Sequence, residues 1–236
     1  MAQTIIITGA SEGIGRSIAL ALAEPTNNLI FVARNKDNLE KTKADAIKQG
    51  AGKVDIYAID LTNEQQVNEF TNKLKEQETL VDGLINNAGI WQKKAPLDEI
   101  PDDEIKNVLS TNLTGMILLT KKVLPLIRKS SSGFIINISS RSGYSAQQGQ
   151  SVYSASKYGV RGFTEVLRED LIESGIRVAG IYQGGTNTQM FNKAGESFSD
   201  EKLATFIPSE ELANVISFLV SLPKGIWLPE IRVENK

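Results

Sequence analysis

Tyr153 and Lys157, in the run Tyr-Ser-Ala-Ser-Lys, stand four positions apart and so share one face if the segment is helical. An ammonium there stabilises a phenolate and draws down a phenol pKa of about 10, so that Tyr153 can trade a proton near neutrality. The bland alternative is a packed ring beside a solvated amine. Upstream, Ser139 and Ser140 close an apolar run, and a hydroxyl at such a strand end can hydrogen-bond a substrate oxygen. The 236 residues contain no histidine and no cysteine. That excludes imidazole bases, Ser-His-Asp triads, thiolate nucleophiles and cysteine metal centres, and leaves acid–base work to Tyr, Lys and carboxylates. No metal site is expected.

A second group opens the chain. The apolar run at Ile5 leads into Thr8-Gly9-Ala10-Ser11-Glu12-Gly13-Ile14-Gly15, followed by helical composition from Arg16 to Ala23. Glycines at a strand-to-helix turn let the backbone approach a diphosphate, and the helix N-terminus offers it free N–H groups. A nucleoside-triphosphate loop is set aside, because Arg16 stands where that loop needs a lysine. The next strand ends at Ala33-Arg34-Asn35 with no carboxylate to take a ribose 2′-hydroxyl. Arg34 instead suits a 2′-phosphate, which favours NADP over NAD, unless it is an ordinary solvated arginine or Glu12 turns inward and repels the phosphate. Asp60 and the run Asn86-Asn87-Ala88-Gly89 fall at further strand ends, where open α/β sheets bind ligands; a helix cap and a plain turn are the alternatives.

The elements that must position these groups alternate. Short β-branched runs begin at Ile5, Leu29, Val54, Leu84, Phe134 and Ile176, and several are apolar at nearly every position, as strands covered on both faces are. Between them apolar residues recur at helical spacing, as at Val67, Phe70 and Leu74 or Leu212, Val215, Ile216 and Leu219. This pattern predicts βαβ units, a parallel sheet and helices on both faces. Two long helices are expected, Glu104 to about Lys129 and Ser151 to about Ser174, apolar over enough of their surface to suggest a subunit interface, although a fully internal helix would look the same. No linker composition appears, so residues 1–236 read as one domain.

The combination Thr8-Gly9-x-x-x-Gly13-x-Gly15, Asn86-Asn87-Ala88-Gly89, Asn112, Ser140 and Tyr153-x-x-x-Lys157 resembles the short-chain dehydrogenase/reductase family over about residues 3 to 190. The resemblance implies a doubly wound Rossmann sheet of about seven parallel strands that binds NAD(P) and interconverts carbonyls and alcohols. It makes Tyr153 the acid that protonates the carbonyl oxygen as hydride arrives. Lys157 would lower the Tyr pKa and hold the nicotinamide ribose, Ser140 rather than Ser139 would stabilise the oxyanion, and Asn112 would hold a water of a proton relay. The implied cofactor contacts are Gly9, Ser11, Gly13, Ile14, Gly15, Arg34, Asp60, Leu61, Asn87, Ala88, Gly89, Tyr153, Lys157, Gly184, Thr186 and Thr188. Two departures stand out. Gln183-Gly184-Gly185 replaces the usual Pro-Gly after the sixth strand, and Gly225 to Ile231 replaces a glycine-rich ending.

The expected activity is therefore an NADPH-dependent carbonyl reductase. A 3-oxoacyl-thioester reductase, with Arg128-Lys129 attracting an acidic carrier, and a non-catalytic NAD(P) sensor are the alternatives. Substrate identity should lie in a loop at about 190–207, with Trp91, Gln92 and Tyr144 to Gln150. A net charge of −2 argues against nucleic acid as a partner. With no secretory or membrane-spanning segment in view, a cytoplasmic homodimer or homotetramer is expected.

Overall fold

A computed structural model describes residues 3–235. Six strands follow the predicted runs: β1 (Gln3–Thr8), β2 (Asn27–Ala33), β3 (Lys53–Ala58), β4 (Gly83–Asn86), β5 (Phe134–Ile138) and β6 (Arg177–Gln183). Two residue pairs, β7 (Thr186–Asn187) and β8 (Ile207–Pro208), form a small separate ladder, and β9 (Glu230–Val233) adds a seventh strand to the main sheet. The order is β3-β2-β1-β4-β5-β6-β9, and every pairing is parallel. The order reverses between β1 and β4, the crevice in which such sheets bind ligands.

Successive strand residues point to opposite faces, and both faces are covered. Ile5, Ile7, Leu29, Phe31, Ile136 and Ile181 join α1 (Gly13–Ala21), α2 (Lys36–Gln49) and α9 (Ser209–Ser221) through Ile18, Leu39 and Ile216. Their neighbours Ile6, Ile30, Leu84, Ile135 and Val178 meet α3 (Glu64–Glu76), α5 (Gly115–Ile127) and α6 (Ser151–Leu171) through Phe70, Val123 and Leu167. Two short helices, α7 (Met190–Lys193) and α8 (Asp200–Ala204), occupy the loop expected to face substrate. Among the described residues, no helix is long and apolar enough to cross a membrane.

The helix expected from Glu104 to Lys129 is α4 (Asp102–Leu109) joined to α5 through one π turn, Ser110–Thr114. It starts at Asp102 because Pro101 precedes it; the fixed proline φ suits the entry to a helix, and three acidic residues favour its N-terminus. Pro125 sits inside α5 without ending it.

Candidate active site

The glycine turn after β1 is shaped by what cannot fit there. Gly9 and Gly13 take positive φ, at +69° and +51°, which side chains rarely adopt. A Cβ on Gly9 would come within 2.7 Å of Asn87 Nδ2, and one on Gly15 would collide with the Gly9 carbonyl oxygen. Thr8 ties the turn to the end of β4: its hydroxyl accepts from the backbone N–H groups of Asn87 (2.9 Å) and Ala88 (3.0 Å), while Asn87 Nδ2 donates to its carbonyl. The resulting cleft over the strand ends is lined by Gly9, Ser11, Gly13 and Ile14 of the turn, Arg34 and Asn38 beyond β2, Asp60 and Leu61 beyond β3, and Asn87, Ala88 and Gly89 beyond β4.

Several open choices close here. Glu12 bends to Lys193 of α7, which donates to both its carboxylate oxygens, so the acid is neutralised at the rim instead of facing Arg34 bare. Arg34 is exposed, lines the cleft and pairs with no carboxylate among the described residues. Asp60 is no helix cap; Asn63 caps α3, and Asp60 Oδ1 accepts from the Thr62 N–H and hydroxyl, both at 2.8 Å. Asn86 leaves the binding run altogether. Its amide is buried in the core, where it donates to Thr120 Oγ1 and Asn137 Oδ1, while Asn137 donates to Thr164.

The residues from β5 and α6 meet at the far end of the cleft. Tyr153 and Lys157, both buried, line it together with Thr188 and Gln183. Lys157 Nζ lies 5.7 Å from the Tyr153 ring centroid and donates to the Ile138 carbonyl at 3.2 Å. Ser139 is committed elsewhere, since its hydroxyl donates to the Lys157 carbonyl at 3.0 Å. Ser140 is the serine beside the Tyr153 phenol, and its Oγ also accepts from the Ser142 N–H. The π turn carries Asn112 inward: Oδ1 accepts from the Ile90 N–H at 2.7 Å and Nδ2 donates to the Ile90 carbonyl at 2.9 Å. A wide turn of this kind re-aims one side chain within a continuous helix.

Burial governs the ionisation of the pair. It pushes the Tyr153 phenol up to about 12, against a smaller lowering by the Ser140 hydroxyl, and pushes the Lys157 ammonium down to about 8. This corrects the expectation of a lowered tyrosine pKa. The ammonium is itself desolvated and directed to the Ile138 carbonyl, so desolvation outweighs charge pairing in the protein alone.

Three expected contacts lie off the cleft. Gly15 packs under the turn, against Gly9 and Asn87, while Gly184 and Thr186 line a second cavity. Tyr153, Gln183, Thr188, Ile14 and Met190 border both spaces, so Tyr153 stands at their junction. The second cavity is walled by Trp91, Phe191, Phe198 and Phe206, with ring centroids 4.9 Å apart for Trp91–Phe191 and 5.1 Å for Phe191–Phe198. Trp91 also packs at a tilt against Tyr153, with ring centroids 4.5 Å apart, and donates to Glu196. Lys193, Asn38 and Ile90 escaped the sequence reading. Lys193 meets Glu12 across 181 positions, and no local pattern encodes that.

Residues 3–198 match the family model described as short chain dehydrogenase. A 3-oxoacyl-(acyl-carrier-protein) reductase of Thermotoga maritima is 35% identical over 225 residues, covering 93% of this chain and 90% of that protein. The crystal structure of levodione reductase is similar at 30% identity with a TM-score of 0.88, over 98% of this chain and 95% of that one. An alcohol dehydrogenase from the archaeon Thermococcus sibiricus, complexed with 5-hydroxy-NADP, is similar at 25% identity with a TM-score of 0.88, over 99% and 96%.

Proposed function

The chain belongs to the short-chain dehydrogenase/reductase family and is an oxidoreductase, and from that premise we propose that it is an NADPH-dependent carbonyl reductase with Tyr153 as general acid. The observation that carries this reading is the position of Tyr153, with Ser140 and Lys157 beside it, where the glycine-lined cleft opens into the aromatic cavity.

The cleft suits a nicotinamide dinucleotide. Side chains on Gly9 and Gly13 would be strained and crowded where a diphosphate must approach, and the N–H groups of α1 start there. We assign the diphosphate to Gly9, Ser11, Gly13 and Ile14, with Gly15 supporting them, the adenine to Asp60 and Leu61, and the adenosine side to Asn87, Ala88 and Gly89. Arg34 takes the 2′-phosphate, and Thr188 takes the nicotinamide end. The NADP ligand of the Thermococcus enzyme supports a phosphorylated cofactor.

When bound, NADPH supplies the hydride that the carbonyl carbon accepts. Tyr153, neutral across the physiological range, holds a proton that it gives to the carbonyl oxygen as negative charge builds there. The Ser140 hydroxyl donates a hydrogen bond to the same oxygen. Lys157 holds the nicotinamide ribose and, with Asn112, forms the path by which Tyr153 regains a proton. The loop at 190–207 walls the substrate cavity through Met190, Phe191, Phe198 and Phe206. Reduction of a 3-oxoacyl thioester is a second reading, favoured by the 35% identical Thermotoga reductase.

Tyr153→Phe tests the assignment. Followed by NADPH oxidation over a panel of carbonyl compounds, turnover should fall by about 10²-fold or more, while NADPH affinity in a fluorescence titration changes little. A near wild-type rate would sink it.

A further inference from the structure

We propose that the substrate is an oxo acid, with an apolar ring or chain on one side of the reacting carbonyl and a carboxylate on the other. This deepens the reductase reading and rests on it. The cavity beyond Tyr153 combines the aromatic wall of Trp91, Phe191, Phe198 and Phe206 with three cations, Lys94, Arg141 and Lys202; among the described residues no Asp or Glu lines it, and Glu196 stands behind Trp91 and Lys94. The chain as a whole carries −2, so this local excess of positive charge runs against the sign of the molecule. An excess of cations beside apolar walls concentrates anions.

The three cations are not equivalent. Lys94 lies 4.0 Å from Glu196 and is partly spent. Arg141 and Lys202 pair with no carboxylate among the described residues. Arg141 meets a neutral side chain instead: the Gln147 amide, oriented with its oxygen toward the guanidinium, accepts from Nε at 2.9 Å and Nη2 at 3.1 Å. Arg141 directly follows Ser140, whose hydroxyl fixes this turn by accepting from the Ser142 N–H at 3.2 Å. A planar guanidinium thus lines the same cavity as the Ser140 hydroxyl. With its Nε–Nη2 edge on Gln147, the fork has its Nη1–Nη2 edge to offer a carboxylate, a bidentate match that a lysine cannot make.

The substrate accepts a hydride at its carbonyl carbon and a proton from Tyr153 at oxygen. The carbon–oxygen π bond becomes a C–H and an O–H bond, NADPH is oxidised to NADP, and the carboxylate is unchanged.

Matched substrates test this with the intact protein and NADPH: 2-oxo-2-phenylacetate and 4-oxo-4-phenylbutanoate, their methyl esters, and the neutral N-acetylcysteamine thioester of 3-oxobutyrate. We expect kcat/KM for at least one acid to exceed that of its ester by roughly 10- to 100-fold, the worth of a hydrogen-bonded charge. Arg141→Met should pull that acid-to-ester ratio toward one. Lys202→Met, on the exposed surface of α8, should narrow it and provides the test should the Arg141 variant not fold. Added salt should raise KM for the acid and not for the ester. Calorimetry with the hydroxy-acid product gives a readout apart from turnover, with binding weakened by a similar factor in Arg141→Met. Esters or the thioester reduced as well as the acids would overturn the oxo-acid proposal and leave the reductase reading standing. No carbonyl reduction at all would overturn the reductase reading itself.

Discussion

At the scale of single residues, desolvation sets the chemistry of the site. Tyr153, raised to about 12, stays protonated well above neutrality, which suits an acid and not a base. Lys157, lowered to about 8, is the group that titrates first. Below that value both protons are in place; as pH rises through it the ammonium is lost while the phenol proton remains. Reductive kcat/KM should therefore fall on the alkaline side with a midpoint near 8, and a pH–rate profile checks this. Arg34 allows a separate prediction, since it lines the cleft and pairs with no carboxylate among the described residues. Arg34→Ala should weaken NADP binding by roughly 10- to 100-fold and NAD binding far less. The measurement is the thermal unfolding midpoint with each nucleotide, because a ligand bound only by the native state raises stability by about RT ln(1 + [L]/Kd). Equal losses would make Arg34 a surface residue. The types of these residues were readable from the chain, whereas the pKa directions depended on burial that only the packed helix α6 creates.

Elements act by aiming side chains. Parallel strands deliver their C-terminal ends to one edge, so residues as distant as Gly9, Asn87 and Tyr153 come to line one cleft. The turn after β1 works because two glycines bend it and a third lets α1 pack beneath. Gly15→Ala places a methyl group into the Gly9 carbonyl, and backbone cannot yield as a side-chain end would. Such overpacking should cost about 1–3 kcal/mol, read from denaturant unfolding, together with weaker NADPH binding. An unchanged midpoint would show that the turn has room to shift. The π turn at Ser110–Thr114 is the element that periodicity could not foretell. Asn112 belongs to an uninterrupted helical pattern and, on the residues alone, reads as a surface position; the extra residue in that turn rotates it onto Ile90.

For the molecule as a whole, α6 matters twice. One face carries Tyr153 and Lys157 inward, while Tyr158, Gly162 and Val166 form a stripe at i, i+4 and i+8 on the other, with Val166 61% exposed and Ile172 63% exposed beyond it. Exposed apolar stripes of this kind mark association surfaces. Sedimentation velocity is expected to show an assembly of at least two chains, and Val166→Asp to dissociate it; a monomeric wild-type protein would refute this. The chain alone determined the alternation of strands and helices, because strands buried on both faces must be continuously apolar and helices must show a 3.6-residue stripe. It likewise carried the glycine turn and the Tyr–Lys pair, since both are local spacings. Tertiary structure decided what spacing cannot encode. It sent Asn86 into the core and Ser139 to the Lys157 carbonyl, joined Glu12 to Lys193, and set Tyr153 where cleft meets cavity. Each of these depends on contacts between segments far apart in the chain, and such contacts exist only once the sheet has brought its strand ends together.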